Sequence, residues 1–316
     1  MARVFVCDPY FPLDVVREEL TGRPESVEPV EGPWEGDDVV GLLVGPDYPV
    51  GAAELERLPA LRAVATCSVG FDHIDLDAAS QRGVWVTNIP DYCIEEMADS
   101  TIALLLSLLR GVVVLDRSVR AGRWDHTAAG TLRRLSDTRL GVIGFGRIGR
   151  AVAAKARALD LEVWATDSFV PDGEIEAAGV RPAPLRELLA SCTAFTLHTP
   201  LTPETEGLIG TGELDLMPHG SVLVDTARAR LLDLDAVLAA LDDGRLAAAA
   251  LDVLPVEPPS AQHPPPEHPR LVVNPHAAWY SPDTEQASYR RPVRAIRAVL
   301  EGRVPDGAVA GPEVPA

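Results

Sequence analysis

The sequence predicts an α/β protein made of two doubly wound parallel-sheet domains. Three observations carry that reading. At 316 residues the chain can bury two modest cores. Short apolar runs alternate with helical patterns along most of its length, as parallel strands covered on both faces require. Over residues 140–167 a strand, the turn Gly144-Phe145-Gly146-Arg147-Ile148-Gly149, an alanine-rich helix, a second strand and the acid Asp167 follow in order.

From the N-terminus, ARVFVC (2–7) reads as a strand and residues 13–20 as a helix. DVVGLLV (38–44) is the next strand, closed by Gly45-Pro46-Asp47. Helical stretches at 52–58 and 75–81 then precede strands at 61–66 and 84–87. A long helical region runs from Glu95 to about residue 121. It holds more apolar residues than one buried face needs, so packing against another subunit is expected.

The second half repeats the alternation. Residues 185–189, 213–217 and 233–241 read as helices, and 194–198, 221–225, 246–253 and 271–273 as strands. With the two strands flanking the glycine turn, that makes six in doubly wound order. The proline-rich stretch 257–270 reads as a loop with solvated histidines. Ser281-Pro282 is a helix start with a side-chain cap and proline in the first turn. That helix should run to about Glu301 and cross back onto the first domain, leaving 304–316 loosely held.

The glycine turn points to a dinucleotide. Gly144 permits a tight exit from the strand, Gly146 lets backbone approach a pyrophosphate, and Gly149 lets the helix sit close to the sheet. Asp167 can accept hydrogen bonds from an adenosine ribose, and with no Arg directly after it NAD is favoured over NADP. The net charge of −19 repels phosphate backbones, so nucleic acid is not an expected partner. Cys7, Cys67, Cys93 and Cys192 are scattered, which suits reduced thiols in the cytoplasm better than disulfides or a zinc site, and no metal is expected. MARVFVCDP lacks signal-peptide features, and the most apolar stretch, 101–115, is broken by Arg110 and too short to span a bilayer, so no membrane partner is expected.

Three ionisable residues follow consecutive strands of the second domain: Arg228 after VLVD, Glu257 after ALDV, and His276 after LVVN. Ligands of open α/β sheets bind beyond those strand ends. A guanidinium, a carboxylate and an imidazole beside a dinucleotide suit hydride transfer to a carbonyl, where the protein must bind, orient and supply a proton.

Taken together, GFGRIG, the Asp of WATD, TAR, LDVLPVEP and PHAAWYS resemble the NAD-dependent D-2-hydroxyacid dehydrogenase family over nearly the whole chain. PHAAWYS and the ADST at 98–101 most resemble its C-terminal-binding-protein branch. The resemblance implies a flavodoxin-like substrate domain split between residues 1–98 and 283–316. It also implies a Rossmann cofactor domain at 99–282, a cleft between the two, and a homodimer formed through the helical region after Glu95. Carried over by position, His276 exchanges the proton with the substrate oxygen, Glu257 holds its imidazole, and Arg228 grips the substrate carboxylate. Backbone N–H groups of Val69 and Gly70 complete that carboxylate site, with Tyr92 and Trp279 on the substrate side. Ser68, Thr101, Thr199, Thr226 and Asp252 match family cofactor contacts, with Asp252 at the nicotinamide amide. Pro200, Thr205, Ala227, Trp279 and His276 itself join that set, and His198 is read as lining the pocket.

The family's N-T-A-R-G-G stands here as Asp225-Thr226-Ala227-Arg228-Ala229-Arg230. Asp225 adds negative charge near the cofactor, and Ala229 is expected to restrict the backbone after the arginine. Segments 45–51, 67–72, 88–95 and 276–281 should line the substrate side. They carry Tyr48, Phe71, Tyr92, Trp279 and Tyr280 but no Lys or Arg, so a 2-keto or 2-hydroxy acid with an apolar or aromatic tail is expected. The competing class is an NADH-sensing corepressor-like binding protein with little turnover, although no peptide groove is marked in the sequence. Hydride abstraction from phosphite or formate would need a pocket smaller than Trp279 and Tyr92 suggest.

Overall fold

The computed structural model describes residues 2–30 and 34–312. In chain order the first elements are β1 (Arg3–Val6), α1 (Leu13–Glu19), β2 (Ser26–Pro29), β3 (Val39–Val44), α2 (Ala52–Glu56), β4 (Ala63–Thr66), α3 (Leu76–Gln81) and β5 (Trp85–Thr87). Helices α4 (Ile94–Leu109) and α5 (Val112–Arg120) lead to β6 (Arg139–Ile143), α6 (Arg147–Ala158), β7 (Glu162–Thr166), α7 (Asp172–Ala177), β8 (Arg181–Pro182) and α8 (Leu185–Ser191). Then come β9 (Ala194–Leu197), α9 (Thr211–Leu216), β10 (Ser221–Asp225), α10 (Leu234–Asp242), β11 (Leu246–Leu251) and β12 (Leu271–Val273). The chain closes with α11 (Pro282–Leu300) and β13 (Ala308–Ala310).

Two compact units result, Met1–Tyr92 with Ser281–Ala316, and Cys93–Tyr280. The first boundary falls at 92/93 rather than the expected 98/99. The reason is that α4 begins at Ile94 and buries Ala98, Ile102, Leu105 and Leu108 in the second unit's core. The other boundary falls at 280/281 rather than 282/283, because Ser281 is the N-cap of α11 and its hydroxyl accepts the Thr284 N–H.

The first unit holds a sheet of order β13-β5-β4-β3-β1-β2, parallel except for β13, which runs antiparallel to β5. Its alternating Val and Leu residues bury both faces. On one face α11 contributes Val293, Ile296, Val299 and Leu300 to a core with Val4, Val6, Leu43 and Ala65. Gly41 of β3 is what permits this approach, since a Cβ there would lie 2.9 Å from Ile296. Glu19 of α1 accepts hydrogen bonds from Arg290 and Arg294 of α11, fixing that helix from the solvent side. Two strands escaped the sequence reading. Ser26–Pro29 has no apolar run, and its register comes from pairing with β1. Ala308–Ala310 lies in the tail expected to be loose but is tied to β5; residues 313–316 of that tail lie outside the described residues.

The second unit is a parallel sheet of order β12-β11-β10-β9-β6-β7-β8, the Rossmann arrangement. It has seven strands instead of six because the two-residue β8 extends one edge. The helical region after Glu95 is not continuous: Gly111 at φ 62° ends α4 and starts α5, a left-handed residue that glycine adopts without steric cost. No single helix among the described residues is long and apolar enough to cross a membrane. The α4–α5 pair would pass on length and composition, but it is bent by 58° and α4 lies in the core.

Candidate active site

In the second unit β6 and β9 are neighbours although β7 and β8 intervene in sequence, so the chain reverses direction across the sheet between them. A nucleotide crevice is expected beyond the carboxyl ends of such a pair. Gly144 leaves β6 at φ 94°, and a Cβ on it would lie 2.7 Å from the carbonyl carbon and oxygen of His198 at the end of β9. A Cβ on Gly149 would collide with the Gly144 carbonyl oxygen. Gly146 differs from both. It has an ordinary φ of −70°, is exposed, and has nothing within 4 Å of its would-be Cβ. Two glycines therefore close the turn while the third keeps open the space before the first turn of α6, whose N-terminal N–H groups suit a pyrophosphate.

Asp167, following β7, ties this turn to the sheet. Its Oδ2 accepts the Phe145 N–H at 2.7 Å, and its Oδ1 accepts those of Phe169 and Val170 at 2.8 and 3.0 Å. A carboxylate offers about four acceptor positions, so roughly one remains for a ribose hydroxyl. Phe145 can offer a ligand only its backbone, because its ring is buried, with the Arg150 guanidinium 4.9 Å above it. Arg147 is exposed and Ile148 half-buried in the first turn of α6. The open cradle, the helix N-terminus and the acid fit a dinucleotide.

The glycines make a paired test. Gly149→Ala should cost about 1–3 kcal/mol of stability through overpacking, read as a lowered Tm. Gly146→Ala should leave Tm within about 0.5 kcal/mol of wild type yet weaken NADH by roughly tenfold or more through lost pyrophosphate contacts, read by fluorescence titration. An unchanged NADH Kd for Gly146→Ala would contradict this account of the cradle.

At the β9 end, the Thr199 hydroxyl donates to the Ile143 carbonyl at 3.2 Å, and the Thr205 hydroxyl donates to the Pro200 carbonyl at 2.7 Å, closing that loop. His198 has a buried Nε2 without a partner, and burial pushes its pKa down to about 3. It is a neutral imidazole and cannot serve as a second acid. At the β10 end, Thr226 pairs with Thr101 of α4 at 2.9 Å, and the Ala227 N–H donates to Asp225 Oδ1 at 2.8 Å.

Arg228, Glu257 and His276 follow β10, β11 and β12, which are adjacent in the sheet. His276 Nδ1 lies 2.6 Å from Glu257 Oε2. An ionised carboxylate only accepts, so Nδ1 carries a proton and Nε2 is the nitrogen left for proton exchange with a ligand. Burial alone would push the imidazole pKa down, but the hydrogen bond to Glu257, the Glu257 charge and the Asp252 charge outweigh it and hold it above the ordinary value. Burial likewise works to raise the Glu257 pKa, and the bond to His276 and its charge bring it below the usual carboxylate range. The other Glu257 oxygen accepts the Leu254 N–H at 2.5 Å, which fixes the carboxylate. The Arg228 guanidinium is close enough to both partners that its charge lowers both pKa values. Its Nη1 donates to the Ala227 carbonyl at 2.8 Å.

His276 sits at φ 52°, a left-handed conformation that is uncommon for a residue with a side chain. The surrounding bonds account for it. The His276 N–H donates to the Asp252 carbonyl at 2.8 Å, and the Asp252 carboxylate accepts the Ala277 and Ala278 N–H groups at 3.0 and 2.9 Å. The Ser100 hydroxyl of α4 donates to the Ala278 carbonyl at 3.0 Å, and the Trp279 indole N–H donates to the His276 carbonyl at 2.9 Å. Asp252, expected at the nicotinamide amide, thus has both oxygens engaged in shaping the histidine loop, a role with no sequence signal because its partners are backbone groups. Ala229 begins a short 3-10 turn, Ala229–Leu231, and is not among the described residues with positive φ, so the feared backbone restriction does not arise.

In the first unit, the Ser68 hydroxyl donates to the Gly70 carbonyl at 2.6 Å and pairs with Thr66 at 3.0 Å, while Asn88 Nδ2 donates to the Val69 carbonyl at 2.6 Å. The 68–70 turn is thus held through its carbonyls. Tyr92 is half-buried at the end of this unit. Among the described residues no group of three or more His, Cys, Asp or Glu is placed to hold a metal ion.

A Rossmann sheet carrying this glycine cradle and these strand-end groups defines an NAD-dependent oxidoreductase. Residues 102–278 match the model of the D-isomer specific 2-hydroxyacid dehydrogenase NAD binding domain. The chain is 31% identical over 293 residues to a glycerate dehydrogenase of Methylorubrum extorquens, covering 89% of this chain and 91% of that one. It is 34% identical to a glyoxylate reductase of Korarchaeum cryptofilum, covering 95% and 90% of the two chains. Among solved structures, a D-lactate dehydrogenase from Aquifex aeolicus complexed with NAD and lactic acid matches with a TM-score of 0.89 at 26% identity, covering 98% of this chain and 100% of that one. The protein belongs to the NAD-dependent D-2-hydroxyacid dehydrogenase family. These likenesses establish the family and an enzymatic role; they do not single out its C-terminal-binding-protein branch.

Proposed function

We propose that this dehydrogenase interconverts a 2-keto acid and its 2-hydroxy acid with His276 as acid and base, Glu257 as the partner that keeps it protonated, and Arg228 as the carboxylate anchor. The 2.6 Å His276–Glu257 pair at adjacent strand ends carries the reading. Bound NADH supplies the hydride. Arg228 offers the substrate carboxylate a charge-assisted grip, against a chain whose net charge is −19. In reduction, His276 Nε2 delivers a proton to the carbonyl oxygen as charge develops there, and Glu257 stabilises the imidazolium before transfer. In oxidation the neutral imidazole takes that proton back. Val69 and Gly70 complete the carboxylate site through backbone N–H groups. Asp167, the glycine turn, Ser68, Thr101, Thr199, Thr205 and Thr226 serve the cofactor.

The substrate tail is apolar or aromatic. The absence of Lys and Arg from 45–51, 67–72, 88–95 and 276–281 supports this, as does the Trp279–Tyr280 edge contact at 5.7 Å with Tyr280 exposed. Tyr48 and Phe71 contribute less, being packed against the first unit's core. With NADH, kcat/KM for phenylpyruvate should exceed that for 3-phosphohydroxypyruvate by at least about tenfold, since the phosphate meets no cation there. Highest kcat/KM for the phosphorylated acid would sink the substrate reading while leaving the catalytic one intact.

We infer in addition a cytoplasmic homodimer. The four cysteines are free and buried, as suits a reducing compartment. The surface left for a second copy is smaller than the sequence suggested, because α4 is used internally. What remains is α5 with exposed Val112 and Val119, and Trp124 just beyond it at 92% exposure.

A further inference from the structure

Asp225, the last residue of β10, is fully buried, and one of its oxygens has no partner. Its Oδ1 accepts the Ala227 N–H at 2.8 Å, so the carboxyl shapes the turn that presents Arg228. Its own carbonyl accepts the Asp252 N–H at 2.9 Å, and the Asp252 carbonyl accepts the His276 N–H at 2.8 Å. The turn bearing the guanidinium and the loop bearing the imidazole are thus joined through this residue.

The groups around Asp225 do not neutralise a full negative charge. On its own turn Arg228 attracts it through the guanidinium charge and a backbone N–H, while Arg230 further along is paired with Glu206. Directly after β11 stands Asp252, a like charge. On β9 the residue in register is Leu197, followed by His198, which is neutral. The Thr101 hydroxyl of α4 donates to the Met97 carbonyl at 2.7 Å and pairs with Thr226, not with Asp225. Burial, helped by the Asp252 charge, pushes the Asp225 pKa up to about 7, against the pull of the Ala227 and Arg228 N–H groups and the Arg228 charge. In the neutral acid Oδ1 accepts and Oδ2 carries the proton, the donor-and-acceptor pattern of an asparagine amide. In the anion an unpartnered oxygen is left buried beside Arg228 and offsets part of its positive charge.

We propose that Asp225 is a positioning residue for Arg228: while its carboxyl is protonated the positive charge of the guanidinium is not offset and holds the substrate carboxylate fully, and its ionisation weakens that hold. This rests on Arg228 being the carboxylate anchor. The sign follows from the charge. Binding an anion disfavours ionisation of Asp225, so affinity is full on the acid side and falls as pH rises through neutrality.

The test is the pH dependence of oxamate binding to the enzyme–NADH complex, followed by fluorescence from about pH 6 to about pH 9. His276 contributes a step in every protein, so the difference between wild type and Asp225→Asn isolates Asp225. Wild-type Kd should rise about tenfold more over that range than the Asp225→Asn Kd, the effect of roughly one unit of pKa coupling. Superimposable profiles overturn the proposal. Arg228→Gln separates the two layers. If it leaves oxamate affinity unchanged, the anchor reading fails. If it weakens oxamate while the other two profiles coincide, only the Asp225 proposal fails. Should Asp225→Asn not fold, infrared titration of aspartate-labelled wild type decides: a protonated-carboxyl band lost near neutrality supports the proposal, and no such band at acid pH overturns it.

Discussion

His276→Ala should lower kcat for keto-acid reduction by about 10²–10⁴ while leaving the NADH Kd close to wild type. On the proposed reading the loss is chemical, because His276 follows β12 at one edge of the sheet whereas the glycine cradle follows β6, with β11, β10 and β9 between them. The pH profile gives the signature. The net effect of the Glu257 contact is to raise the His276 pKa above its ordinary value, so the protonated acid persists beyond the range of a free histidine. Reduction is therefore at its plateau below that raised pKa and falls as pH rises through it. Oxidation, which needs the neutral base, rises across the same interval. A variant retaining wild-type kcat, or a profile unchanged by the substitution, would remove His276 from the mechanism.

Arg228→Gln should reduce kcat/KM by roughly 10- to 150-fold, the loss of a charge-assisted hydrogen bond contributing about 1.5–3 kcal/mol. Most of that loss should appear in KM if the grip is equal in ground and transition states. Lysine at this position should restore only part of it, because an ammonium cannot reproduce the planar fork of a guanidinium. The carboxylate dependence can be isolated by comparing a keto acid with its amide, as the wild-type preference for the acid should collapse in the glutamine variant. A preference that survives intact would place the anchor elsewhere.

Much of this architecture could be read from local signals. The period-two apolar runs, the glycine spacing at 144, 146 and 149, and Asp167 at the end of the next strand each have a short-range cause. The grouping of Arg228, Glu257 and His276 was legible because all three follow strands of one parallel sheet. What escaped has non-local causes. Ser26–Pro29 and Ala308–Ala310 become strands through partners elsewhere in the chain. The break at Gly111 was not read as a helix end, although Arg110 beside it interrupts the apolar stretch. The left-handed backbone of His276 and the two N–H groups on Asp252 leave no trace in residue identity, since any residue could supply those backbone donors. The expectation about Ala229 was wrong for a related reason: a missing glycine signals restriction only where positive φ is required.

The glycine turn, Asp167, Arg228, Glu257 and His276 all fall within the uninterrupted stretch Cys93–Tyr280, whereas the other unit is stitched together from both ends of the chain. On the reading proposed above, proton exchange and cofactor binding therefore draw on one continuous stretch of chain, which a single segment of sequence is enough to encode.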